Sequence, residues 1–159
     1  MRYSSKGFSL FELLVTLAIV GILAAVAIPS FRTAMQNTQA DTDVADLQRA
    51  FNFARLEAIN RGVNVVIAPV SGVAWNSQLR VMLQTESGKA TPEALRVIPA
   101  MSSGATVTVP GAVTAIEFNN LGGLTTSAAS GAIAYTRGTA ISRTLNVCLS
   151  GRIVLAGGC

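Results

Sequence analysis

The first part of the chain contains a long run of apolar positions. Leu13–Ile28 comprises sixteen residues without a charge, and Thr16 is its one polar residue. Together with Phe8–Glu12 the run reaches 21 residues, close to the ~20 that an α-helix needs to cross a bilayer. The pattern therefore predicts a transmembrane helix.

The charges before this run predict its orientation. Arg2 and Lys6 precede it, and positively charged flanks stay on the cytoplasmic side of a membrane. We therefore expect everything after Pro29 to be exported. An ordinary secretory signal peptide is one alternative, because Ala25-Val26-Ala27 has the A-x-A pattern of a cleavage site. A plain single-pass anchor is another.

Glu12 is the one charged residue inside the predicted membrane helix. A charged side chain at the centre of a bilayer costs at least ~2.5–3.5 kcal/mol on insertion scales. An ionisable residue at such a position indicates a function, and pairing with an opposite charge would recover much of the cost.

Beyond Pro29 the apolar spacing changes to that of an amphipathic helix. Apolar residues recur every three or four positions, with polar residues between them. The stripe comprises Ala40, Val44, Leu47, Phe51, Ala54 and Ala58. Gly62 is the expected end of the helix. A continuous helix over Phe8–Arg61, about 80 Å long, is predicted to bend or loosen at Pro29 and Gly21. We expect its small-residue stripe to pack on a sheet, with a coiled-coil partner as the alternative.

After Gly62 the pattern becomes that of short β-strands broken by Gly, Pro, Ser and Asn. The candidate strands are Val63–Ala68, Gln78–Gln84, Leu95–Pro99, Thr106–Val109, Ala115–Asn119, Ile133–Thr136, Thr144–Leu149 and Arg152–Ala156. Their spacing predicts one antiparallel sheet or a pair of them. The fold class is therefore α+β, a long helix packed on antiparallel sheet.

Composition narrows the range of functions. The formal net charge is only +4 and is scattered, which is not typical of a nucleic-acid binder. The absence of histidine excludes Ser-His-Asp and Cys-His nucleophiles and His-ligated metals. The two cysteines, Cys148 and Cys159, favour a disulfide in an oxidising compartment, with two free thiols as the alternative. We predict no catalytic, cofactor-binding or metal-binding residues.

The segment Gly7-Phe8-Ser9-Leu10-Phe11-Glu12 resembles the class III signal of type IV pilins and pseudopilins. The resemblance implies that prepilin peptidase cuts after Gly7 and that Phe8 becomes an N-methylated first residue. Glu12 would then meet the N-terminal amine of a neighbouring subunit and set its register in a filament. Pro29 falls where pilins commonly carry a proline.

Three further segments narrow the resemblance to one group of pilins. They are Ala54–Arg61, Ile116–Leu124 and Cys148–Cys159, and Trp75 fits the same group. The group comprises minor pilins of the FimU/FimT type, FimU above all, and the related H-type pseudopilin of type II secretion. For a protein of the FimU type, the resemblance implies membership of a priming and tip complex. This complex joins tip-associated minor pilins to the major-pilin shaft.

DNA uptake is an alternative function within this group. FimT-type proteins can bind DNA through a Gly-Arg-x-Arg tail motif, whereas this chain has Gly151-Arg152-Ile153-Val154. Arg152 alone would give one weak phosphate contact, so DNA is not the expected partner. The H-type pseudopilin is the other alternative.

Other polar and glycine clusters predict no chemistry. Asp41, Asp43 and Asp46 do not have the spacing of a calcium loop, so a solvated helix face or capping region is expected. Trp75 is expected in the core or at its edge. The Gly122-Gly123 and Gly157-Gly158 pairs are expected to form turns.

The resulting prediction is a structural, non-enzymatic inner-membrane prepilin with its C-terminal part in the periplasm. The predicted divisions are a leader over 1–7, an assembly and membrane helix over 8–29, an amphipathic helix over 30–61 and a β-rich part over 62–159. The expected partners are other minor pilins, the major pilin, prepilin peptidase, the inner-membrane assembly platform and, before assembly, lipid.

Overall fold

The computed structural model describes residues 8–70 and 72–159. Its longest element is one α-helix, α1, over Leu10–Arg61, which begins two residues later than predicted. The helix is uninterrupted at Gly21 and Pro29. Gly62 ends it in the left-handed region at φ +67°, a conformation that glycine adopts without steric cost.

Among the residues described after the helix, eight strands occur, each close to a predicted one. They are β1 Val65–Pro69, β2 Leu79–Leu83, β3 Arg96–Ile98, β4 Ala105–Thr108, β5 Ile116–Phe118, β6 Gly131–Arg137, β7 Ile141–Val147 and β8 Ile153–Leu155. Short 3-10 turns occupy Gln84–Glu86, Pro110–Ala112 and Ser127–Ala129.

The strands form two antiparallel sheets. The first has the order β3-β2-β1-β5, and the second has the order β4-β6-β7-β8. The α+β fold class is therefore confirmed, with a pair of small sheets and not a single one.

The chain divides into two compact units, the first ending at Thr38 and the second covering Gln39–Cys159. In the second unit the predicted apolar stripe of α1 is buried, with every one of its side chains at most 4% exposed. It shares one core with inward-facing residues of both sheets, such as Ile67, Phe118, Ile133 and Leu145. The amphipathic spacing of the helix thus specifies the face that packs on the sheets.

Trp75 lies in the same core, as predicted. It is 2% exposed, and its indole N–H donates to the carbonyl of Val113 over 2.9 Å. Its ring centroid lies 6.3 Å from that of Phe51 on the helix. Trp75 therefore contributes to packing and keeps its buried donor satisfied.

Candidate functional site

The first unit of the chain exposes an unusually apolar helix surface. Phe8, Leu10 and Phe11 are each more than 70% exposed. The large apolar side chains that follow, as far as Met35, are exposed as well. By length and composition, this helix could cross a membrane. Such a surface requires lipid or other apolar helices to cover it.

Three of the residues predicted to act in processing and assembly, Phe8, Glu12 and Pro29, are among the described residues. Gly7 is outside the described residues, and Phe8 lies two residues before Leu10, the first residue of the helix. Glu12 is in the first helical turn, where the helix dipole favours a negative charge. Pro29 lies within the helix, and its carbonyl accepts a hydrogen bond from the Thr33 hydroxyl at 3.1 Å.

In the second unit, the three segments that carry the narrower resemblance meet at one turn. Gly122 lies at the centre of this turn with φ +81°, and its carbonyl accepts a 3.1 Å hydrogen bond from Arg55 Nε on the helix. Gly151 of the tail approaches so closely that a Cβ on it would lie 1.7 Å from the Gly122 oxygen. The amide of Leu124 donates to the carbonyl of Leu149 at 2.9 Å. The Gly122 turn thus joins helix, first sheet and tail.

The tail is closed by the predicted disulfide. Cys148 and Cys159 are bonded, with their Cα atoms 5.3 Å apart. The enclosed segment contains β8, which pairs with β7. The amide of Cys148 also donates to the carbonyl of Arg152 over 2.8 Å. The disulfide therefore fixes the end of the chain to the second sheet.

The Arg152 side chain is exposed but engaged with this tail. Its Nη2 donates to the Gly158 carbonyl at 3.2 Å. Val154, at the position of the missing second arginine, is half-buried, and its Cγ1 lies 2.9 Å from where a Cβ on Gly157 would be. The tail surface thus presents one arginine where a paired-arginine motif would present two.

Asp43 departs from the prediction of a solvated acidic face. Its carboxylate accepts hydrogen bonds from the Tyr135 hydroxyl at 2.7 Å and from the Ser102 amide and hydroxyl, both at 3.1 Å. The prediction was wrong for Asp43 because its position on the helix, and not its acidic neighbours in the sequence, determines what it contacts. Asp43 lies three residues after Ala40 and four before Leu47, so it belongs to the core-facing side.

The other two aspartates lie on the outside of the helix. Asp41 accepts from Arg143 Nε at 2.7 Å, and Asp46 pairs with Arg49 one turn later. Among the described residues, no group of three or more Cys, Asp or Glu side chains could hold a metal ion.

Comparison with known protein families identifies the family to which this chain belongs. Residues 43–152, more than half of the chain, match the model of the family described as type II transport protein GspH. The chain belongs to the GspH family. Residues 2–28 also match the prokaryotic N-terminal methylation motif. These two matches together identify a pilin-type structural protein.

Individual relatives of this GspH-family chain are fimbrial proteins. The fimbrial protein EcpB of Eikenella corrodens is 33% identical over 76 residues, which cover 48% of each chain. A fimbrial protein of Pseudomonas aeruginosa is 40% identical over 63 residues, which cover 40% of each chain. The matches thus cover less than half of the length of either relative.

Solved structures show the same fold. A crystal structure of the type IV minor pilin FimU of Pseudomonas aeruginosa superposes with a TM-score of 0.66 at 21% identity, covering 77% of this chain and 91% of that one. A second crystal form of FimU gives a TM-score of 0.63. The predicted resemblance to pilins of this type is therefore confirmed. In this chain a helix long and apolar enough to cross a membrane is followed by a globular C-terminal unit.

Proposed function

We propose that this protein is a minor pilin of a type IV pilus, in the priming and tip complex that links tip-associated minor pilins to the major-pilin shaft. The observation that carries the proposal is the exposed apolar surface of α1 before Thr38, followed by a globular unit with the FimU fold. Apolar helices of this kind can exchange lipid for one another when subunits assemble. The curated relatives named as fimbrial proteins favour a pilus over other filaments.

Maturation precedes assembly in this proposal. The N-terminal positive charges keep the leader in the cytoplasm, and the unit after α1 enters the periplasm. Prepilin peptidase cuts between Gly7 and Phe8, and Phe8 becomes N-methylated. Mass spectrometry of the protein from its native membrane should give a mature chain that starts at Phe8 with one added methyl group. A chain that starts after Ala27 would identify an ordinary signal peptide instead.

Glu12 specifies register in the assembled filament. Its carboxylate pairs with the N-terminal amine of a neighbouring subunit, both groups being removed from water by the surrounding apolar helices. An unpaired charge in that environment is strongly unfavourable. Subunits that place the two groups together are therefore preferred over subunits that are out of register.

The H-type pseudopilin of a type II secretion system is the second candidate function. It is favoured by the match of residues 43–152 to the GspH family model. DNA capture is not proposed, because the tail has one arginine, Arg152, where the paired-arginine motif has two, and one phosphate contact releases few counterions.

Immunogold electron microscopy of sheared filaments, combined with deletion of the gene in its native host, tests the proposal. A tip subunit should label one filament end, and its deletion should abolish or shorten pili while secretion continues. Loss of secretion with intact pili would identify the secretion pseudopilin. Labelling along the whole filament would contradict a tip position.

A further inference from the structure

The surface around the Gly122 turn exposes four large apolar side chains. We call them the Leu121 patch: Leu56, Ile59, Leu121 and Leu149. Leu121 is 83% exposed, and each of the other three is at least 41% exposed. Clustered exposed apolar side chains in a folded domain mark a contact surface more often than isolated ones do.

Close backbone packing brings these residues together. A Cβ on Gly122 would lie 2.6 Å from Ile59 Cδ1, so the helix side chain touches the turn. A Cβ on Gly123 would lie 3.2 Å from the Leu149 carbonyl oxygen. Leu56 is one helical turn before Ile59 and therefore lies on the same side of α1.

The patch is held in place before any partner arrives. The side-chain oxygen of Asn119 accepts the amides of Leu121 and Gly123, each at 3.0 Å. Leu149 directly follows the disulfide-bonded Cys148. A preorganised surface loses less conformational entropy on binding than a flexible one.

The border of the patch is positively charged. Arg55 comes from the helix, where its Nε donates to the Gly122 carbonyl, and Arg152 comes from the tail, directly after Gly151. These two arginines place two positive charges at this border. A complementary partner has an apolar centre and an acidic border.

We infer that the Leu121 patch docks a neighbouring subunit of the same filament through an apolar surface bordered by carboxylates. This inference rests on the proposed function, since it names the surface through which such a subunit would be joined. A protein partner fits better than DNA, because four aliphatic side chains contribute nothing to neutralising phosphates.

Photo-crosslinking in the native host tests the inference with the full chain. A photoreactive amino acid at position 149 reports contacts of the patch. The same group at position 106, an exposed site on β4 at the opposite edge of the second sheet, is the control. We expect position 149, and not 106, to crosslink a pilin subunit at a peptide that contains Asp or Glu.

Substitutions at Leu121 then separate apolar contact from charge complementarity. With the probe at 149, we expect the crosslink yield to fall in the order wild type, Leu121→Lys, Leu121→Gln, Leu121→Glu. The Glu variant should be about tenfold below wild type, the loss typical of an interface residue that contributes strongly to binding. Because the residue is so exposed, these variants should fold normally.

Each other result overturns the inference. Equal yields for all variants would show that the patch makes no contact, and a higher yield for Leu121→Glu than for Leu121→Lys would contradict an acidic partner. A nuclease-sensitive crosslink would identify DNA, and a crosslink to lipid alone would identify the membrane. The amount of this protein in filaments sheared from the same cells measures its incorporation independently of the crosslink. If the crosslink is lost but incorporation is normal, the inference about the patch fails and the proposed function stands.

Discussion

The hydroxyl of Tyr135 on β6 donates a 2.7 Å hydrogen bond to the carboxylate of Asp43 on α1. Tyr135 is 1% exposed, so its hydroxyl depends on this acceptor. Two further contacts join the same part of the helix to the second sheet: Gln39 with Arg137, and Asp41 with Arg143. Polar groups thus fix the helix where its core-facing stripe begins.

Removing the Asp43 carboxylate should destabilise the protein markedly. Asp43→Ala leaves the buried Tyr135 hydroxyl without its acceptor, which should lower the free energy of unfolding by about 2 kcal/mol. Asp46→Ala is the matched control, because Asp46 pairs with an exposed arginine one turn away and should change stability by less than ~0.5 kcal/mol. Urea unfolding of the full chain in detergent measures both. Equal effects would contradict the assigned role of Asp43.

Stability should also fall at alkaline pH. Burial raises the pKa of Tyr135 from 10.0 to about 12, and the nearby Asp43 carboxylate adds to the shift. The folded state thus favours the neutral phenol. Its contribution is fully present below pH 10 and is lost as the pH rises towards about 12.

The Tyr135→Phe variant isolates this effect, because it lacks the titrating group. Its unfolding free energy should fall less steeply than that of the wild type between pH 10 and 12. Tyr3 is the other tyrosine of the chain, so ultraviolet titration in a Tyr3→Phe background follows Tyr135 alone. A normal tyrosine pKa in that titration would refute the expected alkaline sensitivity.

Gly151→Ala should disrupt the junction between the Gly122 turn and the tail. The new Cβ would lie 1.7 Å from the Gly122 oxygen, at a backbone φ of +77°. We expect a loss of about 3–4 kcal/mol from this overlap and the conformational strain together. Gly138→Ala is the control, because its φ is +59° but no atom lies within 4 Å of the added Cβ. The Gly138→Ala variant should lose about 1–2 kcal/mol of unfolding free energy from backbone strain alone. If thermal or urea unfolding gives equal losses for the two variants, the close approach of Gly151 to Gly122 is unimportant.

Reduction of the disulfide should weaken the folded state. The bond joins residues eleven apart, and a loop of this size stabilises by about 2–3 kcal/mol in the chain-entropy model. Urea unfolding with and without reductant measures the difference. A protein carrying Cys148→Ser and Cys159→Ser should be insensitive to reductant. An unchanged midpoint for the reduced wild type would show that other contacts hold the tail.

Local pattern was sufficient to predict most of the fold. The spacing from Ala40 to Ala58 identified the buried face of the helix, and runs of β-branched residues identified all eight strands. Their grouping into two sheets was not predictable, because strand partners are set by contacts distant in sequence. Periodicity would have placed Asp43 on the core-facing side, but its partners Ser102 and Tyr135 lie 59 and 92 residues away.

The candidate sites were predictable to different degrees. The leader pattern, Glu12 and the cysteine pair are local features that can be read directly from the chain. The Leu121 patch cannot be read from the sequence, because Leu121 and Leu149 come close to Ile59 only when the Gly122 turn packs between helix and tail. Single exposed leucines are common on protein surfaces, so nothing in the sequence distinguishes these.

Incorporation of a Glu12→Ala variant into filaments is the most direct test of a pilin-type assembly role. The full chain would be expressed in its native host, and membrane and sheared-filament fractions would be compared by immunoblotting. Thr16→Ala, one helical turn further on, is the control for altered helix packing. Our account predicts that wild type and Thr16→Ala reach the filaments, whereas Glu12→Ala accumulates in the membrane and is absent from them. Equal amounts of Glu12→Ala and wild type in the filaments would contradict it.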